Sequence, residues 1–214
     1  PKSLYLPDLQ RGVAVCGGPG SGKTFSVIDP LIRSALDQGL PVALYDFKYP
    51  TQSARHAAYA AKLGYEVRVF APGFPESDVC NPIDFLRSES DAEMARQIAT
   101  VLNKNFRLMT QSTEDGFFAA AGDQLTEALL MLAKSTKYPD IMTAQAVLGL
   151  TNLGNRIAAA EKLNKWIRVS FTQLIGVKDA EKTASGIVGS ASETFTRFMK
   201  AGVLGAFCGE TSIP

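Results

Sequence analysis

Residues 17–24 read Gly-Gly-Pro-Gly-Ser-Gly-Lys-Thr, which fits Gly-x-x-x-x-Gly-Lys-[Ser/Thr] at every fixed position. The run before it, Gly12-Val13-Ala14-Val15-Cys16, is apolar and β-branched and predicts a short buried strand. After it, Thr24 to Leu36 carry Val27, Ile28, Leu31, Ile32 and Leu36 at helical spacing. Between a strand and a helix, successive backbone N–H groups of such a loop converge on an anion, and the helix N-terminus adds partial positive charge. Gly17, Gly18, Pro19, Gly20, Ser21 and Gly22 then cradle phosphates, Lys23 reaches the β- and γ-phosphates, and the Thr24 hydroxyl ligates Mg²⁺. ATP and Mg²⁺ are therefore the expected cofactors. Gly17, Gly20 and Gly22 leave room for close backbone approach and positive φ. The fixed positions coincide by accident in on the order of one chain in a hundred of this length.

Alternation of strand and helix continues outward from the loop. Gly39 marks a stop, Pro41-Val42-Ala43-Leu44-Tyr45 predicts a second buried strand, and residues 51–63 predict an alanine-rich helix ended by Gly64. Glu66-Val67-Arg68-Val69-Phe70 predicts a third strand. Strand–helix–strand at this spacing implies right-handed crossovers and a parallel sheet, with ligands beyond the carboxyl ends of the strands.

The rhythm changes at Pro72, Gly73, Pro75 and Pro82, after which strand patterns cease. Ser90-Asp91-Ala92-Glu93 is a capping box opening a helix with Met94, Ile98 and Val101 on one face. A longer helix aligns Phe118, Leu125, Leu129 and Leu132, and a short one covers Ile141 to Leu150. Ile157, Ala160, Leu163, Ile167, Phe171 and Leu174 form an apolar stripe, as do Ile187, Ala191, Phe195 and Phe198, and both read as bundle core.

Composition sets the limits. The chain has 214 residues, 46% hydrophobic and 20% charged, with a net charge of +1. No broad basic field is present, so any contact with DNA comes from local clusters or from several subunits lining a channel. Cys16, Cys80 and Cys208 form no Cys-x-x-Cys, which argues against zinc and a disulfide framework and fits a reducing cytosol. No apolar run reaches the ~18 residues needed to span a bilayer, and no signal peptide is legible. Pro1 in place of Met, and the run 209–214, read as a piece of a longer protein.

Asp46 closes the second predicted strand, where an acid ligates a Mg²⁺ water or, alternatively, caps the following turn. As the metal acid of the Walker B type it would suit a small-molecule kinase, but Phe47 follows it where motor ATPases carry a catalytic Glu. Arg11 flanks the nucleotide or is an exposed strand-start residue. His56, the sole histidine, reads as a surface or packed residue rather than a base. Lys104-Asn105-Phe106-Arg107 mixes basic and aromatic groups suited to single-stranded DNA, although Glu114 and Asp115 nearby favour a solvated helix end. Nothing marks a hydrolase triad.

Taken in order, these motifs resemble the coupling-protein ATPases of type IV secretion and conjugation, the TraG/TraD-like DNA-transfer proteins. Residues 11–24 look like their Arg-x₅-Gly-x-x-Gly-Ser-Gly-Lys-Thr stretch, and Asp46-Phe47-Lys48 is similar to their Asp-x-Lys. Asn81-Pro82-Ile83-Asp84 resembles their Asn-Pro-Leu-Asp, with Cys80 replacing the usual Phe before it. Asp115-Gly116-Phe117-Phe118 with Leu129 and Leu130 is similar to the aromatic-plus-leucine helix of their all-α domain, and Ala184 to Pro214 looks like the return to the core.

The resemblance implies an α/β fold: a RecA-like P-loop domain with a partial parallel sheet over residues 1–87, an inserted all-α domain over 88–178, and a return over 179–214. It implies a homo-hexamer at the cytoplasmic face of the bacterial inner membrane, anchored by a segment outside this chain. Its output is ATP-driven transfer of DNA, or of relaxase or effector protein, to type IV channel components. Lys23 and Asp46 carry the catalysis in this reading. The Walker B Asp-Glu pair and an arginine finger are not legible, so the alternatives are a substrate-recruiting adaptor with a regulatory nucleotide site and a related hexameric DNA pump.

Overall fold

A computed structural model describes residues 12–110 and 116–213, with side chains left undescribed at 106–110. Arg11, Glu114 and Asp115, and the side chains of Phe106 and Arg107, therefore lie outside the described residues. The chain divides into two compact units, Pro1–Val67 and Arg68–Pro214.

In the first unit a π-helical turn, Thr24–Ile28, follows the glycine loop and leads into α1 (Asp29–Asp37). The second helix, α2, spans Ser53–Lys62. These match the helices expected at 24–36 and 51–63, and Leu36 and Ala60 are buried. The two helices pack against each other. The Tyr59 hydroxyl donates to Asp37 at 2.5 Å, and the Arg33 guanidinium lies 5.3 Å from the Tyr59 ring centre.

The expected α/β sheet is not there. Among the described residues no strand forms, and the segments 12–16, 41–45 and 66–70 carry no regular secondary structure. A central parallel strand is hydrogen-bonded on both edges and buried on both faces. Here Val13, Val42 and Phe70 are 51%, 39% and 45% exposed. Their β-branched and aromatic residues favour extended backbone locally, but a sheet requires neighbours that pair, and none does.

The second unit is helical. A 3₁₀ turn, Pro82–Phe85, precedes α3 (Ala92–Thr110), α4 (Gly116–Lys134), α5 (Ile141–Leu148), α6 (Leu153–Ala159), α7 (Lys165–Ser170), α8 (Thr172–Gly176), α9 (Glu181–Thr196) and α10 (Ala201–Leu204). At the centre, α4 buries Leu125, Leu129, Leu130 and Met131 against α3, α5, α7 and α9. The stripe from Ile157 to Leu174 is core as expected, but three short helices share it. On α3 the fully buried positions are Ala95 and Ala99, whereas Val101 is 57% exposed. Met94 and Ile98 are partly buried against the core as expected, so of the three expected residues only Val101 departs from that face.

Two close contacts and one buried polar pair fix α4 on its neighbours. A Cβ at Gly122 would lie 2.5 Å from Ser190 Oγ and 3.3 Å from Ala191 N, and one at Gly186 would lie 2.6 Å from the Phe118 ring. Asn103 on α3 donates to Asp123 on α4 at 2.5 Å and accepts from Thr194 on α9. The start of α3 is held by Asp91 rather than Ser90. Its carboxylate accepts from Met94 N at 3.4 Å, Arg87 N at 3.1 Å and Arg87 Nε at 2.7 Å. The Arg87 guanidinium holds the Asp91 carboxyl well below the usual carboxylate range, despite its burial. All three cysteines are free thiols.

Gly122→Val should cost about 1–3 kcal/mol by overpacking the α4–α9 crossing. An unchanged urea midpoint would contradict that close approach. Asp91 supplies a second check. A depressed folded-state pKa stabilises fully above the unfolded carboxyl value of about 4 and loses that contribution as pH falls toward the folded value. Asp91→Asn should therefore flatten the acid limb of stability against pH below about pH 4. A limb of wild-type slope would show that the pair does not contribute.

Candidate functional site

The glycine loop is exposed and is held in shape from inside. Lys23 Nζ turns back across it, donating to Gly17 O at 2.5 Å, Gly18 O at 2.7 Å and Ser21 Oγ at 3.4 Å. Gly20 and Gly22 take φ of +74° and +82°, a region costly for any residue with a Cβ. Gly17 does not need positive φ; a Cβ there would lie 2.8 Å from Ser21 Oγ and 3.3 Å from Lys23 Cδ. Ser21 N donates to Gly18 O at 3.3 Å and Ser26 N to Gly22 O at 2.8 Å, so the loop closes directly onto the helical turn that begins at Thr24.

The donor chemistry here suits a polyphosphate. One ammonium, the Ser21 and Thr24 hydroxyls and the first amides of a helix stand together on open surface, and the ammonium rests on neutral carbonyls that an anion outbids. Among the described residues no group of three or more His, Cys, Asp or Glu could hold a metal. Mg²⁺ does not need one, because it binds through one or two protein oxygens plus phosphates and water.

Asp46 is engaged in its own turn. Oδ1 accepts from Lys48 N at 3.0 Å, and Oδ2 accepts from Gln52 N at 2.9 Å, Ser53 N at 2.9 Å and Ser53 Oγ at 2.8 Å. Burial raises its pKa, but the hydrogen bonds from Ser53, Gln52 and Lys48 outweigh burial and hold the carboxyl below its usual value. The carboxylate thus ties the 47–52 turn to the N-terminus of α2. The structure does not join Asp46 to Lys23 by a hydrogen bond or ion pair. Tyr45 and Phe47, on either side of it, are 89% and 85% exposed.

Sequence reasoning missed Asp29. It is buried, one π turn beyond Thr24, and its backbone N–H donates to Thr24 O. Oδ1 accepts from Gln52 Nε2 at 3.2 Å and sits 3.0 Å from His56 Nε2, and Oδ2 pairs with Arg55 at 3.3 Å. Burial pushes the Asp29 carboxyl up, yet the His56, Arg55 and Gln52 contacts bring it below the ordinary value. His56 is therefore the packed residue that the sequence suggested, paired with an acid. A signal existed: Asp29 is in helical phase with the apolar residues Ile32 and Leu36.

In the second unit, Asn81-Pro82-Ile83-Asp84 is a structural clasp. Asn81 is 1% exposed; its Nδ2 donates to Pro139 O at 2.7 Å and Gly209 O at 2.8 Å, and its Oδ1 accepts from Ile83 N at 3.1 Å. Asp84 accepts from Thr211 N at 2.9 Å and Thr211 Oγ1 at 2.7 Å. The motif thereby stitches the end of the described chain to the start of the helical unit.

Over residues 6–212 the chain matches a known family, described as type IV secretory system conjugative DNA transfer. The chain belongs to this family. It is accordingly a protein of type IV secretion, and its context is conjugative DNA transfer among the components of that system. No curated protein and no solved structure matches the chain. Among the described residues of this family member, no helix is long and apolar enough to cross a membrane.

Removing the Asp46 carboxylate should open the turn before α2. Asp46→Ala is expected to cost about 1–2 kcal/mol, as loss of a helix-start acceptor does. Faster hydrogen exchange at the amides of Gln52 and Ser53 should accompany it. Wild-type melting together with wild-type exchange at those amides would rule out this role.

Proposed function

We propose that the chain binds ATP with Mg²⁺ at the 17–24 loop. Through it a homo-hexameric coupling protein at the cytoplasmic face of the inner membrane drives DNA, or relaxase or effector protein, into the type IV channel. The observation that carries this reading is Lys23. Its ammonium is stored on the carbonyls of Gly17 and Gly18 inside a loop of positive-φ glycines, where an incoming triphosphate competes for it. Membership of the conjugative DNA-transfer family supports the output.

On this reading Lys23 moves from the loop carbonyls to the phosphate oxygens, and the amides from Gly20 to Thr24 orient the phosphate chain. Thr24 Oγ1 would hold Mg²⁺ directly and Asp46 through water; when bound, the ion neutralises charge on the phosphate oxygens. Positioning and charge neutralisation supply most of the catalysis in phosphoryl transfer, so the protein's task is to fix these groups in place.

One observation favours the adaptor, in which the nucleotide site only regulates recruitment. Both Asp46 oxygens already accept hydrogen bonds from their own turn. Turnover separates the two readings. ATP hydrolysis is measured with and without single- and double-stranded DNA, with Lys23→Ala as control. DNA-stimulated turnover abolished by the substitution is the expected result, together with a Kd for ATP raised about ten- to hundredfold for the lost charge-assisted bonds. Binding without turnover in either condition would favour the adaptor. Wild-type affinity in Lys23→Ala would sink the nucleotide assignment itself.

A further inference from the structure

The two residues proposed to share the metal shell, Thr24 and Asp46, belong to separate segments, and a continuous hydrogen-bonded path links them. Thr24 O accepts from Asp29 N, Asp29 Oδ1 accepts from Gln52 Nε2 at 3.2 Å, and Gln52 N donates to Asp46 Oδ2 at 2.9 Å. Gln52 is half-buried and immediately precedes α2. Of the three side chains on Asp29, those of Gln52, Arg55 and His56, only that of Gln52 belongs to a residue that also bonds Asp46.

We infer that Gln52 is a positioning residue of the nucleotide site, tying the helix that leaves the phosphate loop to the turn that holds Asp46. Its side-chain amide fixes α1 through a buried carboxylate, and its backbone N–H fixes Asp46. A glutamine suits the task because it donates to Asp29 without adding charge to a carboxylate that Arg55 and His56 already contact. Loss of a group that orients a metal ligand from behind typically lowers metal affinity about 10–100-fold. The inference rests on the nucleotide reading above and adds the group that ties its two segments together.

The test uses a fluorescent ATP analogue titrated into the whole chain, once with Mg²⁺ and once with EDTA. Gln52→Met keeps side-chain length and the backbone N–H but removes the amide. It is expected to raise the Kd measured with Mg²⁺ about tenfold and to leave the EDTA value about unchanged. Gln52→Glu, which sets a second negative charge against Asp29, should show the same Mg²⁺-specific loss in larger measure. Arg55→Met removes a different partner of Asp29 without touching Asp46 and should leave the Mg²⁺ dependence intact. Wild-type Mg²⁺ dependence in both Gln52 variants would overturn the inference. So would an equal loss with and without Mg²⁺, or the same Mg²⁺-specific loss in Arg55→Met. Lys23→Ala, run alongside, keeps the two claims separate: if it binds as tightly as wild type, the nucleotide reading has failed, whatever Gln52 does.

Discussion

A backbone amide outside a helix still needs an acceptor once water is excluded. In this chain aspartate and asparagine side chains supply it. Asp46 takes the amides of Lys48, Gln52 and Ser53, and Asp78 takes that of Val69. Asn81 takes Ile83, Asp84 takes Thr211, and Asp91 takes Arg87 and Met94. Each short carboxylate or amide does locally what a neighbouring strand does along a ladder. Removing one of them leaves the donors it accepts unmet, which is why irregular segments hold definite positions without a sheet.

The same constraint organises the first unit around two carboxylates. Asp29 is buried and so cannot stay unpaired, and its need for partners draws the start of α2 toward the helix that leaves the glycine loop. Asp46 fixes the turn that delivers α2. Gln52 belongs to both sets of contacts. The loop itself is the opposite kind of structure: exposed, with Lys23 resting on carbonyls rather than on a counter-ion. On the nucleotide reading proposed above, the two carboxylates would hold the helices in place while Lys23 exchanges its carbonyls for phosphate oxygens.

The second unit relies on close packing. Gly122 and Gly186 let α4 and α9 approach to distances that any side chain would block, and on α3 the fully buried positions Ala95 and Ala99 are likewise small. Asn103 bridges Asp123 and Thr194 within this core, adding direction where apolar contact has none. The Asn81–Asp84 clasp closes the unit by binding its first and last segments to each other. The Asn-Pro-Ile-Asp run therefore serves here as a fastening.

Local chemistry was legible from the residues alone. The helices near 24–36, 51–63 and 141–150, and the apolar stripes of α4 and α9, depend on spacing and composition within a few residues, and each is found where the pattern put it. The same holds for the family, whose resemblance was read from the order of such motifs and which the match over residues 6–212 shows. What the sequence could not decide were the pairings. Three runs of β-branched residues specify extended backbone, but whether they form a sheet depends on non-local partners, and none pairs here. Asp91 displaced Ser90 as the cap because Arg87 reaches it from outside the helix. Asp29 met Gln52, Arg55 and His56 only because α1 and α2 pack together. Periodicity is a property of a segment, whereas the partner of a buried charge or an extended edge is a property of the whole fold.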